Sequence, residues 1–411
     1  MKKSLLAVAA MTAFAGAAQA QSSVTVSGIS DAGYTGGHAR ATTSTGTVRE
    51  NVSRISNSME SGSRIGFRGT EDLGGGTSAL FTFEAGLQPA GNAGTNQTGI
   101  NGANSAAQVT AGTSTWAPNV RQAFVGFAKK GMGNAKVGTQ NTVTWEQAGS
   151  NTTGQLNQTL GSMLAPTTDG AYFNSTSLNA NGGSASAAFT NRTTNTIRVD
   201  SERMAGIVAK AAYTISNQDR NQTTDGAGYA GGTNNQNGYQ FALDYVFQKA
   251  NIQASYAAFT SENPYNVTTA STTNNVAWGS GSQGNNVKDN QALITASYDF
   301  GILKAYAGWV NRKVTSTIDS NAFLKRSAQE IGVRSFITPA IEGWASVGNG
   351  RWSSFGAGAP TANINGYQVG ANYWMSKRTN LYTIYGQNGT SSTSNGAFNA
   401  NQYSIGARHT F

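Results

Sequence analysis

The charged residues are the groups through which this chain could act chemically, and their positions follow a pattern. Lys and Arg number 28 and Asp and Glu number 19 among 411 residues, which gives a formal charge of +9. Arg64 and Arg68 alternate with the apolar Ile65 and Phe67, and Glu84 follows a similar apolar run. In a β-strand this alternation places the charges on one face. Charges gathered on one face act on ions and polar solutes by attraction and repulsion.

The sequence contains few residues and motifs of the kinds used in covalent catalysis or metal binding. It contains no cysteine, which excludes disulfides, zinc–thiolate sites and a thiol nucleophile. Its two histidines, His38 and His409, are a poor basis for a metal site or a Ser-His-Asp triad. No Gly-x-Ser-x-Gly elbow is present, and the glycine run 74–76 lacks the lysine and helix of a P-loop, so it predicts a turn. We expect no enzyme activity, no bound cofactor and no metal site.

The first twenty residues predict export. Lys2 and Lys3 precede an apolar stretch, and Ala18-Gln19-Ala20 has the form of a cleavage site. We interpret residues 1–20 as a secretory signal peptide and residues 21–411 as a single domain; a buried N-terminal helix is the alternative. The mature chain would have a charge of +7, because Lys2 and Lys3 are removed. Basic residues scattered along an exported chain do not predict nucleic-acid binding.

The composition fits neither an ordinary soluble domain nor a helical membrane protein. Only 11% of the residues are charged, against about 25% in a typical soluble domain. The mean hydropathy is nevertheless −0.36, and no stretch reaches the ~18 consecutive apolar residues of a membrane helix. The polarity comes from uncharged Asn, Gln, Ser, Thr and Gly. This suits a structure with a neutral polar surface and dispersed apolar residues.

Apolar residues recur at every second position along most of the chain. Between 238 and 247 the odd positions are Tyr, Phe, Leu, Tyr and Phe, whereas the even positions include Gln240 and Asp244. This period is that of a strand with one apolar and one polar face. We find roughly sixteen such segments of the ~10 residues that a tilted membrane strand needs. They begin near Ser23, Ser61, Thr77, Arg121, Ala135, Arg192, Gly206, Gly238, Ala250, Asn290, Leu303, Ser327, Ile341, Asn365, Thr379 and Gln402.

The connections between these segments alternate in length. The short ones are 71–76, 129–134, 248–249, 301–302, 338–340 and 376–378; the long ones, rich in Asn, Thr, Ser and Gly, are 35–60, 88–120, 216–237, 261–289 and 350–364. Short turns at one end and long loops at the other describe an up-and-down β-barrel in an outer membrane. A soluble β-solenoid is the alternative, but we find no repeat of fixed period.

Aromatic residues lie beside the short turns, where a membrane barrel carries its girdle. Amphipathic rings prefer the headgroup level of a bilayer. The residues predicted to form this girdle are Phe247, Phe300, Phe336, Trp374 and Phe411.

Four segments together carry a family resemblance. They are residues 22–31, the block SRIGFRGTEDLGGGTSALFTFEAG at 63–86, RQAFVGF at 121–127 followed by KVGTQ at 136–140, and GARHTF at 406–411. The chain resembles the general trimeric porins of Gram-negative bacteria, in particular the beta-proteobacterial porin family. The block at 63–86 is the most specific match, whereas about 218–289 matches only by pattern. The resemblance implies an all-β fold: a 16-stranded antiparallel transmembrane barrel whose third loop folds inward.

The resemblance also implies a charged constriction, with a basic cluster on the wall opposite acidic residues on the third loop. The matching basic positions are Arg64, Arg121 and Arg192. The matching acidic positions are Glu84 on the wall and, on the loop candidate 140–190, Glu146 and Asp169. Further pore-lining residues are expected at Arg68, Asp31, Lys210 and Arg334. Thr139 stands where the family usually has Arg, which removes one basic contribution near the constriction.

Alternation supports the inward direction of two of these residues without the resemblance. Ile65 and Phe67 take the lipid face, so Arg64 and Arg68 point inward. An arginine facing lipid at the midplane would cost about 2–4 kcal/mol. Interfacial snorkelling is the alternative for Arg68, which lies near a turn.

We therefore expect an outer-membrane channel for passive diffusion of small hydrophilic solutes and ions, with a weak to moderate anion preference. The resemblance implies a homotrimer and recognition of the terminal Phe411 by the outer-membrane barrel assembly machinery. Outer-membrane lipid and lipopolysaccharide are the other expected partners, besides small anions and hydrophilic solutes. Lipopolysaccharide attracted to the outer wall could also explain the net positive charge. The alternative functions are a surface adhesin that acts through the long loops and a barrel enzyme.

Overall fold

The computed structural model is built almost wholly of β-strands. It describes residues 23–43, 46–87, 89, 119–164, 192–219, 233–262, 287–317, 319–355, 361–391 and 397–411. Within those ranges there is one helix, α1 (Val143–Ser150). The strands are β1 (Ser23–Thr43), β2 (Gly46–Asn57), β3 (Arg64–Gly74), β4 (Thr77–Gly86), β5 (Asn119–Lys129), β6 (Gly133–Asn141), β7 (Arg192–Ser201), β8 (Ile207–Asp219), β9 (Thr233–Phe247), β10 (Ala250–Glu262), β11 (Val287–Asp299), β12 (Lys304–Ser316), β13 (Phe323–Thr338), β14 (Ile341–Phe355), β15 (Ala362–Trp374), β16 (Thr379–Thr390) and β17 (Ala397–Thr410).

These strands form one closed antiparallel barrel. Consecutive strands pair with each other except β2 and β3, which both pair with β1, and β17 pairs with β1 to join the two ends of the sheet. The lower part of β1, Ser23–Ile29, pairs with β3, and its upper part, Ala32–Thr43, pairs with β2. The seventeen segments therefore fill sixteen positions, because β2 and β3 lie end to end in one of them. Closure through the pairing of β1 with β17 confirms the predicted barrel.

Alternate side chains divide between an apolar outside and a polar inside. On β9 the odd positions from Tyr239 to Phe247 are between 38% and 56% exposed, whereas the inward Gln240 is 1% exposed. On β11 the inward Asp289 and Gln291 are buried and the outward Ile294 and Tyr298 are each 46% exposed. Apolar rows on the outside with polar rows behind them match lipid outside the wall and water inside it.

One predicted loop is wrong. Residues 35–60 were expected to connect two strands, but β1 continues to Thr43 and β2 occupies Gly46–Asn57. These residues carry polar side chains on both faces, so they lack the alternation that marks the other strands. Backbone pairing of β1 with both β17 and β2 holds this hairpin in the sheet instead.

The aromatic girdle is confirmed for three of its five predicted members. Phe247, Phe300 and Phe411 continue the outward rows of their strands and are between 46% and 57% exposed. Phe336 is a correction, because it pairs directly with Glu342, which binds the inward Arg334, and therefore lies on the inner face. Trp374 is a correction, because its indole N–H lies 3.4 Å from Glu342 Oε2 and the guanidinium of Arg408 lies 5.3 Å from its ring centroid. Both partners are on the inner wall, so Trp374 faces inward.

The connections at the two ends of the barrel differ in length. Short turns follow β3, β5, β9, β11, β13 and β15 at one end, which in an outer-membrane barrel is the periplasmic end. Gly74, Gly75 and Gly76 have φ values of 82°, 58° and 74°, a region that glycine enters without steric cost. The glycine run is therefore a tight turn. No helix of the described residues is both long enough and apolar enough to cross a membrane.

Candidate functional site

Three arginines gather around one glutamate on the inner wall. Glu84 of β4 accepts a hydrogen bond from Arg121 Nε at 2.7 Å and lies 3.3 Å from Arg64 Nε. Arg121 sits at a bulge, where the pairing of β4 with β5 passes from Gln122 to Val120. Arg192, the first residue of β7, lies within electrostatic reach of all three residues. The structure thus brings the predicted basic cluster together with Glu84, and three positive charges face one negative charge.

Arg192 differs from the other two arginines because it has no acidic partner among the described residues. Its guanidinium carbon lies 5.4 Å from the centroid of the Trp145 ring, a cation–π geometry. Its Nε is buried and has no hydrogen-bond partner in the described part of the chain. Trp145 belongs to α1, so Arg192 joins the basic cluster to the helix.

The helix α1 begins where side-chain chemistry favours it. Thr142 caps the helix by accepting a hydrogen bond from the Trp145 N–H at 3.1 Å. Glu146 lies in the first turn, where the helix dipole favours a negative charge. The cap and the dipole fix the position from which Glu146 reaches the wall.

Two basic side chains of the wall hold Glu146. Arg198 donates from Nη1 and Nη2 to the two carboxylate oxygens of Glu146 at 2.8 and 2.7 Å. Lys210 Nζ donates to Glu146 Oε2 at 2.7 Å. Arg198 also donates from Nε to Asp200 at 2.7 Å, and Asp200 accepts from Lys136 Nζ at 2.6 Å. Three cations and two anions therefore alternate across β6, β7, β8 and α1. The bidentate arginine contact is the strongest form of such a pair.

This network fixes the ionisation of Glu146. Burial alone would raise the pKa of Glu146, but the hydrogen bonds and charges of Arg198 and Lys210 lower that pKa to about 2. The carboxylate therefore stays negative throughout the neutral and mildly acidic range. Because two cations neutralise it, Glu146 adds little negative charge to the space beside the basic cluster.

The residues after the helix lie against the inward faces of distant strands. Gln147 Nε2 donates to the carbonyl oxygens of Gln253 and Leu293 at 3.0 and 3.1 Å. Further along, contacts of 2.6 to 3.0 Å join Asn157 to Gln368, the Leu160 N–H to Gln402, and the Met163 N–H to Glu330. We call residues 143–164 the inner segment. Its hydrogen-bond partners lie on strands from β7 to β17. Residues 165–190 of the loop candidate lie outside the described residues.

Glycines on successive strands make room for the inner segment. They are Gly308 on β12, Gly332 on β13, Gly348 on β14, Gly366 on β15 and Gly386 on β16. A Cβ at Gly386 would overlap the carbonyl oxygen of Leu160, and a Cβ at Gly348 or Gly366 would collide with Met163. The absence of side chains at these positions lets the backbone of the inner segment lie directly against the strands.

An apolar cluster seals part of the inner segment to the wall. Met163 and Leu164 are 1% and 3% exposed and pack with Val310, Leu324 and Trp352 of β12, β13 and β14. Apolar burial of this kind stabilises the contact by roughly 1.5–3 kcal/mol for each large side chain. The interior at β11 to β15 is therefore filled by this apolar cluster and by buried ion pairs such as Arg312 with Asp289. The basic cluster and the Glu146 network lie on the other side, at β3 to β8.

The other predicted site residues take different positions. Lys210 binds Glu146, and Arg334 donates to Glu342 at 3.1 Å and to the carbonyl oxygen of Thr153 at 2.7 Å. Arg68 is exposed near the short-turn end. Asp169 lies outside the described residues.

Asp31 is fully buried in the wall. It accepts hydrogen bonds from the Tyr382 hydroxyl at 2.7 Å and from the N–H groups of Ser61 and Glu60 at 2.7 and 3.0 Å. Its contacts hold the connection between β2 and β3 against the barrel.

Sequence reasoning missed Arg198, the residue that makes the bidentate contact with Glu146. The signal was present, because Arg198 and Asp200 alternate with Ile197 and Val199 on a predicted strand. Ile197 is 55% exposed and Arg198 is 2% exposed, as the alternation requires. What the sequence did not contain is the pairing of Arg198 with Glu146, because the two residues are 52 positions apart.

Among the described residues, the two histidines make hydrogen bonds to neutral side chains. His38 Nδ1 lies 2.7 Å from Asn51 Oδ1, and His409 Nδ1 lies 2.9 Å from Thr379 Oγ1. A triad would require an acid on one ring nitrogen and a nucleophile on the other. The two contacts instead join these rings to an amide and a threonine hydroxyl.

Sequence comparison connects this geometry with known proteins. The family profile described as Gram-negative porin matches residues 7–411. An outer membrane porin protein of Bordetella pertussis is 28% identical over 448 aligned positions, which cover 100% of both chains. Outer membrane porin protein 32 of Delftia acidovorans is 45% identical over 84 residues, or 20% of this chain and 22% of the relative.

Solved structures show the same fold at low sequence identity. The anion-selective porin from Comamonas acidovorans superposes with a TM-score of 0.62 at 17% identity, covering 95% of this chain and 100% of that one. The OmpF of Salmonella typhi, in complex with daunomycin, superposes with a TM-score of 0.55 at 14% identity, covering 94% and 97%. With a closed barrel, a charged inner wall and a family match over nearly its whole length, the chain belongs to the Gram-negative porins and is an outer-membrane channel for passive diffusion.

Proposed function

We propose that this channel passes small anions in preference to cations and that its selectivity is set at the cluster of Arg64, Arg121 and Arg192. The observation that carries the proposal is the local excess of positive charge. Only Glu84 contacts this cluster as an acid within the described residues. Glu146, on the inner segment, is neutralised by Arg198 and Lys210.

The inner segment would narrow the lumen and direct solutes past the arginines. It is anchored by hydrogen bonds to β10 through β17 and by the apolar cluster at β12 to β14. Water and ions would then pass on the charged side of the interior. Charges that line a narrow aqueous path act on each passing ion, because the Debye length at physiological salt, about 8 Å, is comparable to the width of such a path.

The proposal includes a homotrimer in the outer membrane, after cleavage of residues 1–20. Small side chains on the outer face of β8, Ala209 and Ala211, would let a neighbouring barrel approach closely. Lipopolysaccharide would surround the trimer. The outer-membrane barrel assembly machinery would recognise the exposed terminal Phe411. Crosslinking of outer membranes should give a species of three chains; a single chain would contradict this part of the proposal.

Planar-bilayer recording with a salt gradient tests the charge preference. The sign of the wild-type reversal potential should show that anions are more permeant than cations. The opposite sign would overturn the proposal. The double variant Arg64→Ala, Arg121→Ala should reduce the anion preference. A matched control is Lys249→Ala with Lys377→Ala, which removes two positive charges from exposed short turns. If both double variants behave alike, the cluster does not set the selectivity.

A further inference from the structure

Four basic side chains lie together on the outward faces of β11 to β14, near the long-loop end of the barrel. They are Lys288, Lys313, Lys325 and Arg351, which we call the outer basic patch. Lys313 stands between the buried Arg312 and Val314, and Lys325 stands between the buried Leu324 and Arg326. Because neighbours in a strand point to opposite faces, both lysines point away from the lumen.

The register of the strands brings these charges close together. Lys313 pairs directly with Lys325 across β12 and β13, which places their Cβ atoms about 5 Å apart. Lys288 is diagonal to Lys313, and Arg351 is diagonal to Lys325, at about 7–8 Å. Like charges opposite each other destabilise a sheet pair. An anion bound between them would remove this repulsion.

No acidic group of the described strands neutralises the patch. The outward positions around it are Asn290, Ser327, Gln329, Asn349 and Ser353. None of the four basic residues makes an ion pair with a described residue, although Lys313 Nζ lies 4.9 Å from the ring centroid of Phe323. The adjoining loop sequences 263–286 and 356–360 contain no Asp or Glu. The connection 317–322 between β12 and β13 contains one acid, Asp319, whose carboxylate accepts a hydrogen bond from the Asn321 N–H at 3.0 Å. The patch therefore offers four positive charges and neutral hydrogen-bonding groups to an external ligand.

The height of the patch identifies the ligand's compartment. Lys313 is nine residues beyond Lys304, where β12 starts at the short-turn end, and Lys325 is thirteen residues before the end of β13 at Thr338. A tilted strand rises about 2.5 Å per residue along the membrane normal, so these residues lie roughly 22–33 Å from that end. The apolar band of such a barrel is about 25 Å tall. The patch thus lies at the headgroups of the outer leaflet.

We propose that the outer basic patch binds the phosphate groups of lipid A, the anchor of lipopolysaccharide. Lipid A occupies the outer leaflet of a Gram-negative outer membrane, and its two phosphates could each lie between neighbouring basic side chains. Charge complementarity is the main argument, since lysine and arginine bind phosphates by charge-assisted hydrogen bonds. The proposal deepens the lipopolysaccharide contact included in the proposed function and rests on the same orientation in the membrane.

Binding of lipid A to the detergent-solubilised mature protein tests this proposal. The test variant is Lys313→Gln with Lys325→Gln, and the matched control is Lys249→Gln with Lys377→Gln at the opposite end. Each lysine beside an anionic surface strengthens binding about fivefold, so the test variant should bind diphosphorylated lipid A roughly 25-fold more weakly. The control should bind as the wild type does. Lys313→Arg with Lys325→Arg should retain binding, which separates charge from changes in packing.

Binding measurements with two further lipids test whether the patch recognises the two phosphates of lipid A. Dephosphorylated lipid A should bind the wild type weakly and should not distinguish it from the test variant. Phosphatidylglycerol, which carries one phosphate, should also bind more weakly. Wild-type binding by the test variant, or phosphatidylglycerol binding equal to that of lipid A, would overturn the proposal. Channel selectivity should be unchanged in the test variant, so loss of lipid binding and failure of the anion preference are measured separately.

Discussion

Replacing Arg192 by glutamine is the sharpest test of how the basic cluster acts. Arg64 and Arg121 share Glu84, whereas Arg192 has no acidic partner in the described part of the chain. A unit charge acts on an ion about 8 Å away with about 0.5 kcal/mol at the dielectric constant of water. Screening reduces this energy to about 0.2 kcal/mol at 0.15 M salt and to about 0.4 kcal/mol at 0.01 M.

The ratio of anions to cations changes by twice this energy, because one ion is attracted and the other is repelled. Arg192→Gln should therefore lower the anion-to-cation permeability ratio about twofold at 0.15 M salt and about fourfold at 0.01 M. The ratio is obtained from reversal potentials across a salt gradient. Arg192→Lys keeps the charge and should keep most of the ratio. Arg351→Gln removes the same charge from the outward face and should leave the ratio unchanged.

Two results would refute this reasoning. Equal changes in Arg192→Gln and Arg351→Gln would show that the overall charge of the protein, rather than a charge in the lumen, determines the ratio. An effect of Arg192→Gln that does not grow at low salt would show that the arginine acts through its packing on Trp145. In that case Arg192→Lys should fail to restore the wild-type ratio.

Three further predictions concern the anchoring of the inner segment. Arg198→Met removes the bidentate partner of Glu146, which keeps its contact with Lys210, and should destabilise the barrel by about 1.5–3 kcal/mol in urea unfolding, with a smaller loss for Arg198→Lys. The pKa of Glu146 is lowered to about 2 from 4.5, so its stabilisation is complete above about pH 4.5 and is lost as the pH falls through 2; current noise should rise only in that interval and should not change with pH in Glu146→Gln. Gly386→Ala should displace Leu160 and change the single-channel conductance, whereas Gly66→Ala should not, because a Cβ there meets its nearest atom at an ordinary 3.5 Å.

The barrel could be predicted from the sequence because the membrane constrains each position separately. Ile65 and Phe67 had to face lipid, so Arg64 had to face inward whatever the rest of the chain did. The same reasoning located Glu84, which the structure places beside Arg64 at 3.3 Å. Strand registers did not need to be known, since the alternation alone assigns a side chain to one of two solvents.

The inner segment could not be predicted in the same way, because its position depends on contacts between distant residues. Leu160 meets Gln402 and Met163 meets Glu330, pairs that are 242 and 167 positions apart. One local signal was available and was not used. Glycines occupy inward positions on five successive strands, and five missing side chains in a row indicate that another part of the chain passes over them. A place beside a short turn predicts a girdle position for Phe336 and Trp374, but the contacts and register of both residues with Glu342 place them on the inner face.

The division of charge between the two faces of the wall explains why net charge is a poor guide to selectivity. Lys288, Lys313, Lys325 and Arg351 contribute four positive charges to the formal total, but they point away from the lumen. On the inner wall most cations are paired, as Arg198 is with Glu146 and Asp200. Under the proposed function, an ion that crosses the channel should therefore respond to the small local excess of positive charge around Arg192. A relative with the same net charge but an acid beside that position should lose its preference for anions.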